Sequence, residues 1–272
     1  MPFFRQFPKT QYDFFNRGVS YEITDFFRYV NTDATFLDDV SVYSYYRVQN
    51  GERPDIVSMK LYGTPDYYWT FFIANDHLKS GIANWPMSAE MFEDYMKEEY
   101  EGYAITSRVD VVVNADGEKL VTNTLADEFP IGIPVSAVHN NITTSTGVVY
   151  ARNPQLSQLV IKDVVELTNP PFVNTGKIIS GTSSDADTFT IKSWTEFRNA
   201  IHHFEDQDGN ITYSTFFFDP DESTPLEIQN LTIVTNYEYE SKLNDERGDI
   251  RIIKPALINQ FAHQYRTLIN AN

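Results

Sequence analysis

The pattern of apolar and polar residues in the first third of the chain predicts one strand followed by two short helices. Residues 40–45 alternate between apolar or aromatic side chains and serines, which is typical of a half-buried strand. Pro54 and Asp55 suit the first turn of a helix, because proline lacks an N–H that would be unpaired there and the carboxylate faces the positive end of the helix dipole. Gly63 suits a left-handed stop, and Thr64 suits the N-cap of a second helix that begins at once. We therefore predict two short helices that lie side by side behind one strand.

The same stretch carries a longer motif. Leu61-Tyr62-Gly63 leads through Tyr67-Tyr68-Trp69 to Ala74-Asn75-Asp76, and near the other end of the chain an acidic block precedes the isoleucine-rich segment 250–253 and a final helix. The order strand, turn, helix, break, helix resembles the LysM module. The fuller pattern resembles the LysM-containing baseplate wedge proteins of contractile-tailed, T-even-like bacteriophages. The residues that carry the LysM-like part are Asp55, Leu61, Tyr62, Gly63, Tyr68, Trp69 and Asn75.

The resemblance covers about residues 20–100 and 235–270, and it implies a structural role in a virus particle. The implied protein is a baseplate wedge subunit, present in six copies per virion, that clamps the bundle of wedge proteins and helps to join adjacent wedges around the central hub. The implied partners are the other wedge proteins and the neighbouring wedge, with central hub or tail-tube initiator proteins as further candidates. Assembly is expected in the host cytoplasm, and the final location is the tail baseplate.

The resemblance also leaves carbohydrate recognition open, because LysM modules resemble binders of peptidoglycan and chitin. A sugar groove would lie between the turn at 50–52 and the loop at 76–81, where the residues are polar. The alternative function is therefore a LysM-type module of a tail protein that binds N-acetylglucosamine polymers.

From Tyr103 onward the pattern changes to short strands separated by turn residues. Asp116-Gly117 and Asp208-Gly209 each lie between two strand-like segments, and Asp-Gly tolerates the positive φ angles that tight hairpin turns require. Residues 127–193 contain further short strands punctuated by Gly, Asn, Pro and Ser, which predicts a small β-barrel or sandwich.

We therefore predict an α+β protein with a LysM-like strand–helix–helix unit and flanking helices, an inserted small all-β domain, and a C-terminal strand plus helix. The predicted segments are an extended N-terminal arm (1–20), a helical and LysM-like domain (21–102), a β-hairpin connection (103–126), the inserted β-domain (127–193), and a hairpin, strand and C-terminal helix that return to the first domain (194–272).

Two groups of apolar side chains are candidates for burial against a partner protein. They are Phe3, Phe4 and Phe7 in the arm, and Phe261, Tyr265 and Leu268 in the C-terminal helix. Aromatic rings are costly to leave in water, and the helical residues share one face. Each group can instead pack on the protein's own core, and that alternative stays open at this point.

Composition narrows the classes of partner. The net charge is −17 and the sequence pI is about 4.6, whereas affinity for nucleic acid depends on clustered Lys and Arg, so we expect no nucleic-acid partner. No apolar run approaches the length of a membrane span, so we expect no membrane partner either. The sequence contains no cysteine, which excludes disulfides and thiolate metal sites and is compatible with a reducing compartment.

The residues that carry chemistry are sparse. A serine nucleophile elbow, a phosphate-binding glycine loop and a zinc-protease helix are all absent from the sequence. His202 and His203 lie on a predicted strand, where neighbouring side chains point to opposite faces, so we predict no shared metal ion. We therefore expect no catalytic residues, no cofactor and no enzyme activity.

Overall fold

The computed structural model describes residues 7–25, 40–106, 110–113, 119–122, 125, 128–180, 188–212 and 231–271, and the structural statements below refer to these residues. The protein is α+β, as predicted from the sequence. The chain divides into a first unit, Met1–Phe92 with Lys242–Asn272, and a second unit, Glu93–Ser241.

The described α-helices are α1 (Pro54–Tyr62), α2 (Trp69–Ala74), α3 (Ala89–Glu99), α4 (Asn236–Arg247) and α5 (Ile258–Ala271). The described strands are β1 (Lys9–Tyr12), β2 (Tyr21–Thr24), β3 (Tyr43–Arg47), β4 (Tyr103–Thr106), β5 (Asp110–Val113), β6 (Lys119–Thr122), β7 (Pro134–His139), β8 (Ile142–Asn153), β9 (Gln158–Glu166), β10 (Lys177–Ser180), β11 (Thr188–Thr190), β12 (Ser193–Glu196), β13 (Ile201–Glu205), β14 (Ile211–Thr212), β15 (Thr232–Thr235) and β16 (Asp249–Ile253). Short 3-10 helices cover Pro65–Tyr67, Asp76–Leu78, Gly81–Asn84, Pro154–Leu156 and Phe197–Asn199.

The first unit is organised around a two-stranded antiparallel sheet of β3 and β16. Tyr43 is opposite Ile253 and Arg47 is opposite Asp249, so the chain leaves this unit after the helices and returns to complete the sheet. Apolar residues of β16 pack with residues of α1 and α2 in one buried cluster: Val48, Val57, Phe71, Leu78, Trp85, Ile250 and Ile252. A separate antiparallel hairpin joins β1 to β2, so the predicted arm boundary at residue 20 falls inside this hairpin.

The second unit contains a seven-stranded antiparallel sheet with the order β11-β10-β7-β8-β9-β4-β12. Phe189 in β11, which is opposite Ile178 of β10, and Trp194 in β12 both contribute to one apolar cluster. Both end strands of the sheet therefore pack on the same core. The sheet extends past both bounds predicted for the inserted domain, 127 and 193. The reason is that β4 pairs with β9 on one side and β12 on the other, and neither pairing has a local sequence signal.

Both predicted hairpins are confirmed. β5 pairs with β6, and the Asp116-Gly117 turn that joins them lies outside the described residues. β13 pairs with β14, and Gly209 in their turn has a φ of 80°, in the left-handed region that favours glycine.

The predicted orientation of the two neighbouring histidines is wrong. The register between β13 and β15 shifts between Ile201 and His203, which makes His202 the additional residue of a β-bulge. A bulge interrupts the alternation of side chains, and the Nδ1 atoms of His202 and His203 lie 2.7 Å apart.

Candidate functional site

The predicted LysM-like residues come together in the first unit, and local capping places the two helices. Gly63 has a φ of 72° and its N–H donates to the Met59 carbonyl at 3.0 Å, which confirms the left-handed stop after α1. The Thr64 hydroxyl accepts from the Asp66 N–H at 3.3 Å, which confirms Thr64 as an N-cap. The element that it caps is the 3-10 helix Pro65–Tyr67, and α2 begins only at Trp69, so the second helix does not start at once as predicted. Asp55 lies in the first turn of α1 and forms an exposed ion pair with Arg53, an interaction of small energetic weight.

The side chain of Asn75, at the end of α2, connects this helix to strand β16 by hydrogen bonds. Its buried side chain donates from Nδ2 to the carbonyl oxygens of Phe71 at 2.8 Å and Arg251 at 2.9 Å, and its Oδ1 accepts from the Arg251 N–H at 2.7 Å. The side chain therefore satisfies backbone groups on the edge of β16 that does not face β3.

Tyr62 makes a second connection between the helices and β16. Its hydroxyl donates to the Ile253 carbonyl at 2.9 Å, and its ring packs edge-on against Tyr67 and stacked on Phe71. Burial raises the pKa of Tyr62 to about 12. Leu61 and Tyr68 are partly buried around the same core.

Trp69 connects α2 to α5. Its ring stacks on Phe261 with 6.1 Å between centroids and lies 5.0 Å from the Tyr265 ring. Phe7, Phe261 and Tyr265 are all buried in this same cluster. The structure thus places these three interface candidates in the protein's own core. Leu268 is 41% exposed on α5, whereas Phe3 and Phe4 lie outside the described residues.

The turn at 50–52, one wall of the predicted sugar groove, has its polar groups in internal contacts. The Glu52 carboxylate accepts from the Tyr46 hydroxyl at 2.8 Å and the Gln49 N–H at 3.0 Å, and it pairs with the Lys60 ammonium. Burial acts to raise the pKa of Glu52, but these three donors together lower it. The Glu52 carbonyl also accepts from the Trp85 indole N–H at 2.7 Å.

The loop at 76–81, the other wall of the predicted sugar groove, also has some of its polar groups in internal contacts. The Asp76 carboxylate pairs with Lys79 at 2.7 Å, and the Asn84 amide donates to the His77 carbonyl at 2.9 Å. Sequence reasoning missed the central role of Glu52, because three of its contacts converge from a strand, a turn and a helix.

Exposed aromatic residues form a further candidate surface, which we call the aromatic hairpin: Tyr12, Phe14, Phe15 and Tyr21. The Phe14 ring contacts the rings of Tyr12 and Tyr21, with centroids 4.9 and 6.1 Å away, and Arg17 lies over Phe15. Each ring is about half exposed, and Phe15 is 67% exposed. The aromatic content of this segment was visible in the sequence, but its arrangement as a hairpin was not.

The described part of the chain gives little support for other chemistry. Its residues include no group of three or more His, Asp or Glu side chains arranged to hold a metal ion. Among these same residues, no helix is long and apolar enough to cross a membrane.

In the first unit, aromatic side chains and an asparagine connect two distant parts of the chain. Residues 3–132, slightly less than half of the chain, match a family model described as base plate wedge protein 53. The match supports a structural role in the phage baseplate. A search among curated proteins found no match.

Proposed function

We propose that this protein is a baseplate wedge subunit that clamps other wedge proteins together and helps to join adjacent wedges around the hub. The observation that carries the proposal is the family match over residues 3–132, which includes β1, β2, β3, α1 and α2. The proposed partners are other wedge proteins and the neighbouring wedge, with central hub or tail-tube initiator proteins as further candidates. Six copies per virion follow from the resemblance.

The contact surface in this proposal consists of the aromatic hairpin and the exposed side of α5 at Leu268. Both present large apolar side chains to solvent. Contiguous exposed aromatic residues on a soluble protein are typical of surfaces that bind other proteins. Phe261 and Tyr265 support the surface from inside, because they pack α5 against Trp69 of α2, and Phe7 is buried in the same cluster.

The LysM-like unit has the role of a packing unit in this proposal. The polar groups of the turn at 50–52 already bond within the protein, so a sugar would have to compete with existing hydrogen bonds. We accordingly propose no enzyme activity and no tight binding of N-acetylglucosamine polymers.

The test is reconstitution with the remaining wedge proteins of the same phage. Wild-type protein should co-purify with them and allow closed six-wedge baseplates, seen by electron microscopy. A double variant of the aromatic hairpin, Phe14→Ser with Phe15→Ser, should stay folded but prevent closure. Isothermal titration with N-acetylglucosamine oligomers provides the competing result: micromolar binding together with normal baseplates from the double variant would overturn the proposal and favour sugar recognition.

A further inference from the structure

A cluster of titratable side chains in the second unit lies where β13 meets α4. The Nδ1 atoms of His202 and His203 are 2.7 Å apart, and His203 Nε2 lies 3.3 Å from the Glu205 carboxylate. The His202 ring stacks on Tyr239 of α4, with centroids 3.9 Å apart and planes 12° apart. The His203 ring meets the same tyrosine edge-on at 5.8 Å. The two imidazoles therefore connect the bulge in β13 to the helix.

The hydrogen bonds fix how many protons the pair can hold. Because a carboxylate only accepts, His203 must carry a proton on Nε2 to bond to Glu205. In the neutral pair the His203 Nδ1 then accepts from the Nδ1–H of His202. One added proton enters at His202 Nε2, which takes no part in this bond. The shared proton then lies on His202 Nδ1 or passes to His203 Nδ1, and the bond stays intact in either case. A second added proton places two N–H donors face to face at 2.7 Å, and the bond is lost.

The surroundings make the second proton unfavourable. His203 is 1% exposed, so little water is available to solvate a second charge. Burial, followed by the neighbouring His203, lowers the pKa of His202, and Glu240 acts in the opposite direction. Glu240 is itself engaged, because it accepts from the Tyr100 hydroxyl at 2.8 Å. The adjacent strand β15 has no titratable side chain, and Glu205 faces His203 on β13 itself.

We propose that the His202–His203 pair is an acid-sensitive clasp between β13 and α4, closed while the pair carries at most one added proton and opened by the second. The clasp belongs to the second unit alone and does not depend on the proposed assembly role. Opening frees the His202 ring from Tyr239 and loosens the bulge.

Hydrogen–deuterium exchange of the full chain tests the proposal. Protection factors, corrected for the intrinsic effect of pH, are measured for segments 201–205 and 236–240 at pH 7.5 and pH 5.0. We expect the protection factors to fall about tenfold in the wild-type protein. A one-unit difference in pKa between the closed and open states shifts their equilibrium by this factor. The His202→Gln variant should keep its protection, because a glutamine amide can donate to or accept from His203 Nδ1 in either protonation state.

The matched control is His263→Gln, which changes an exposed histidine on α5 and should behave as the wild type. Unchanged wild-type protection, or an equal loss in His202→Gln, would overturn the proposal. Nitrogen NMR of the wild-type histidines gives an independent check at neutral pH. We expect His203 as the Nε2–H tautomer and His202 as the Nδ1–H tautomer, and the opposite assignment would also overturn it.

Discussion

The Asn75 side chain pairs with the peptide backbone of Arg251 as a neighbouring strand would, donating to its carbonyl at 2.9 Å and accepting from its N–H at 2.7 Å. The two residues are 176 positions apart in the chain. One amide side chain thereby closes an edge of the β3–β16 sheet and ties α2 to it. The first unit depends on this contact because the sheet has only two strands.

Replacing Asn75 with alanine should therefore destabilise the protein strongly. The change removes the side-chain partners of the Arg251 N–H and carbonyl and of the Phe71 carbonyl, and leaving buried polar groups unpaired should lower the free energy of unfolding by about 2–4 kcal/mol. Urea denaturation followed by circular dichroism measures the effect. Asn84→Ala is the control, since Asn84 makes an exposed amide contact and should cost less than about 1 kcal/mol. Equal costs for both variants would contradict the role assigned to Asn75.

The two ends of α5 should respond differently to substitution. Phe261→Ala removes a buried ring that stacks on Trp69 and should cost about 3–5 kcal/mol, which would be visible as a lower melting temperature.

Leu268→Lys changes a partly exposed residue in the last turn of the helix and should cost less than about 1 kcal/mol. In reconstitution we expect the Leu268→Lys protein to remain folded and to stall before closed baseplates form. Normal baseplates from this variant would remove Leu268 from the proposed interface.

The first unit should fold without the second. Met87 and Asn244 are joined by two hydrogen bonds, of 2.7 and 3.2 Å, so the chain on either side of the excised unit is already close in space. Joining Phe92 to Lys242 by a Gly–Ser linker of about six residues should give a protein with a cooperative thermal transition. Nuclear magnetic resonance should show the β3–β16 pairing in it, and a non-cooperative melt would contradict the division into units.

Removing only residues 127–193 should have a different result. This deletion takes away β9, the partner of β4, together with most of the seven-stranded sheet. We expect the remaining strands of the second unit to lose their dispersed NMR signals while those of the first unit persist. Survival of ordered β4 and β12 would show that the sheet can form without its centre.

Alkaline pH should destabilise the first unit partly through Tyr62. Its folded-state pKa is raised to about 12, above the ordinary value of 10.0, so its contribution to stability is complete below about pH 10 and is lost as the pH rises toward 12. Tyr62→Phe should make the decline in unfolding free energy shallower by about 1.4 kcal/mol per pH unit in that window. Urea titrations at several pH values between 9 and 11.5 provide the measurement. Tyr67→Phe is the control, and an unchanged slope in Tyr62→Phe would contradict the linkage.

Local signals explain why parts of this protein could be predicted from the sequence. The stop at Gly63, the cap at Thr64 and the Asp208-Gly209 hairpin each depend on the backbone preferences of a few neighbouring residues. The acidic composition and the absence of cysteine likewise follow from the sequence without any fold. The family resemblance added the prediction of a structural role in the phage baseplate, and the match over residues 3–132 supports that role.

Contacts between distant segments were decided only by the tertiary structure. Asn75 has the same sequence context whether it faces water or Arg251, and β4 looks like part of a hairpin connection until β9 and β12 pair with it. The bulge at His202 depends on the register against β15, which no residue of β13 encodes by itself. Backbone propensity acts over a few residues, whereas strand register and buried hydrogen bonds depend on which segments meet in space, and that is determined by packing of the whole unit.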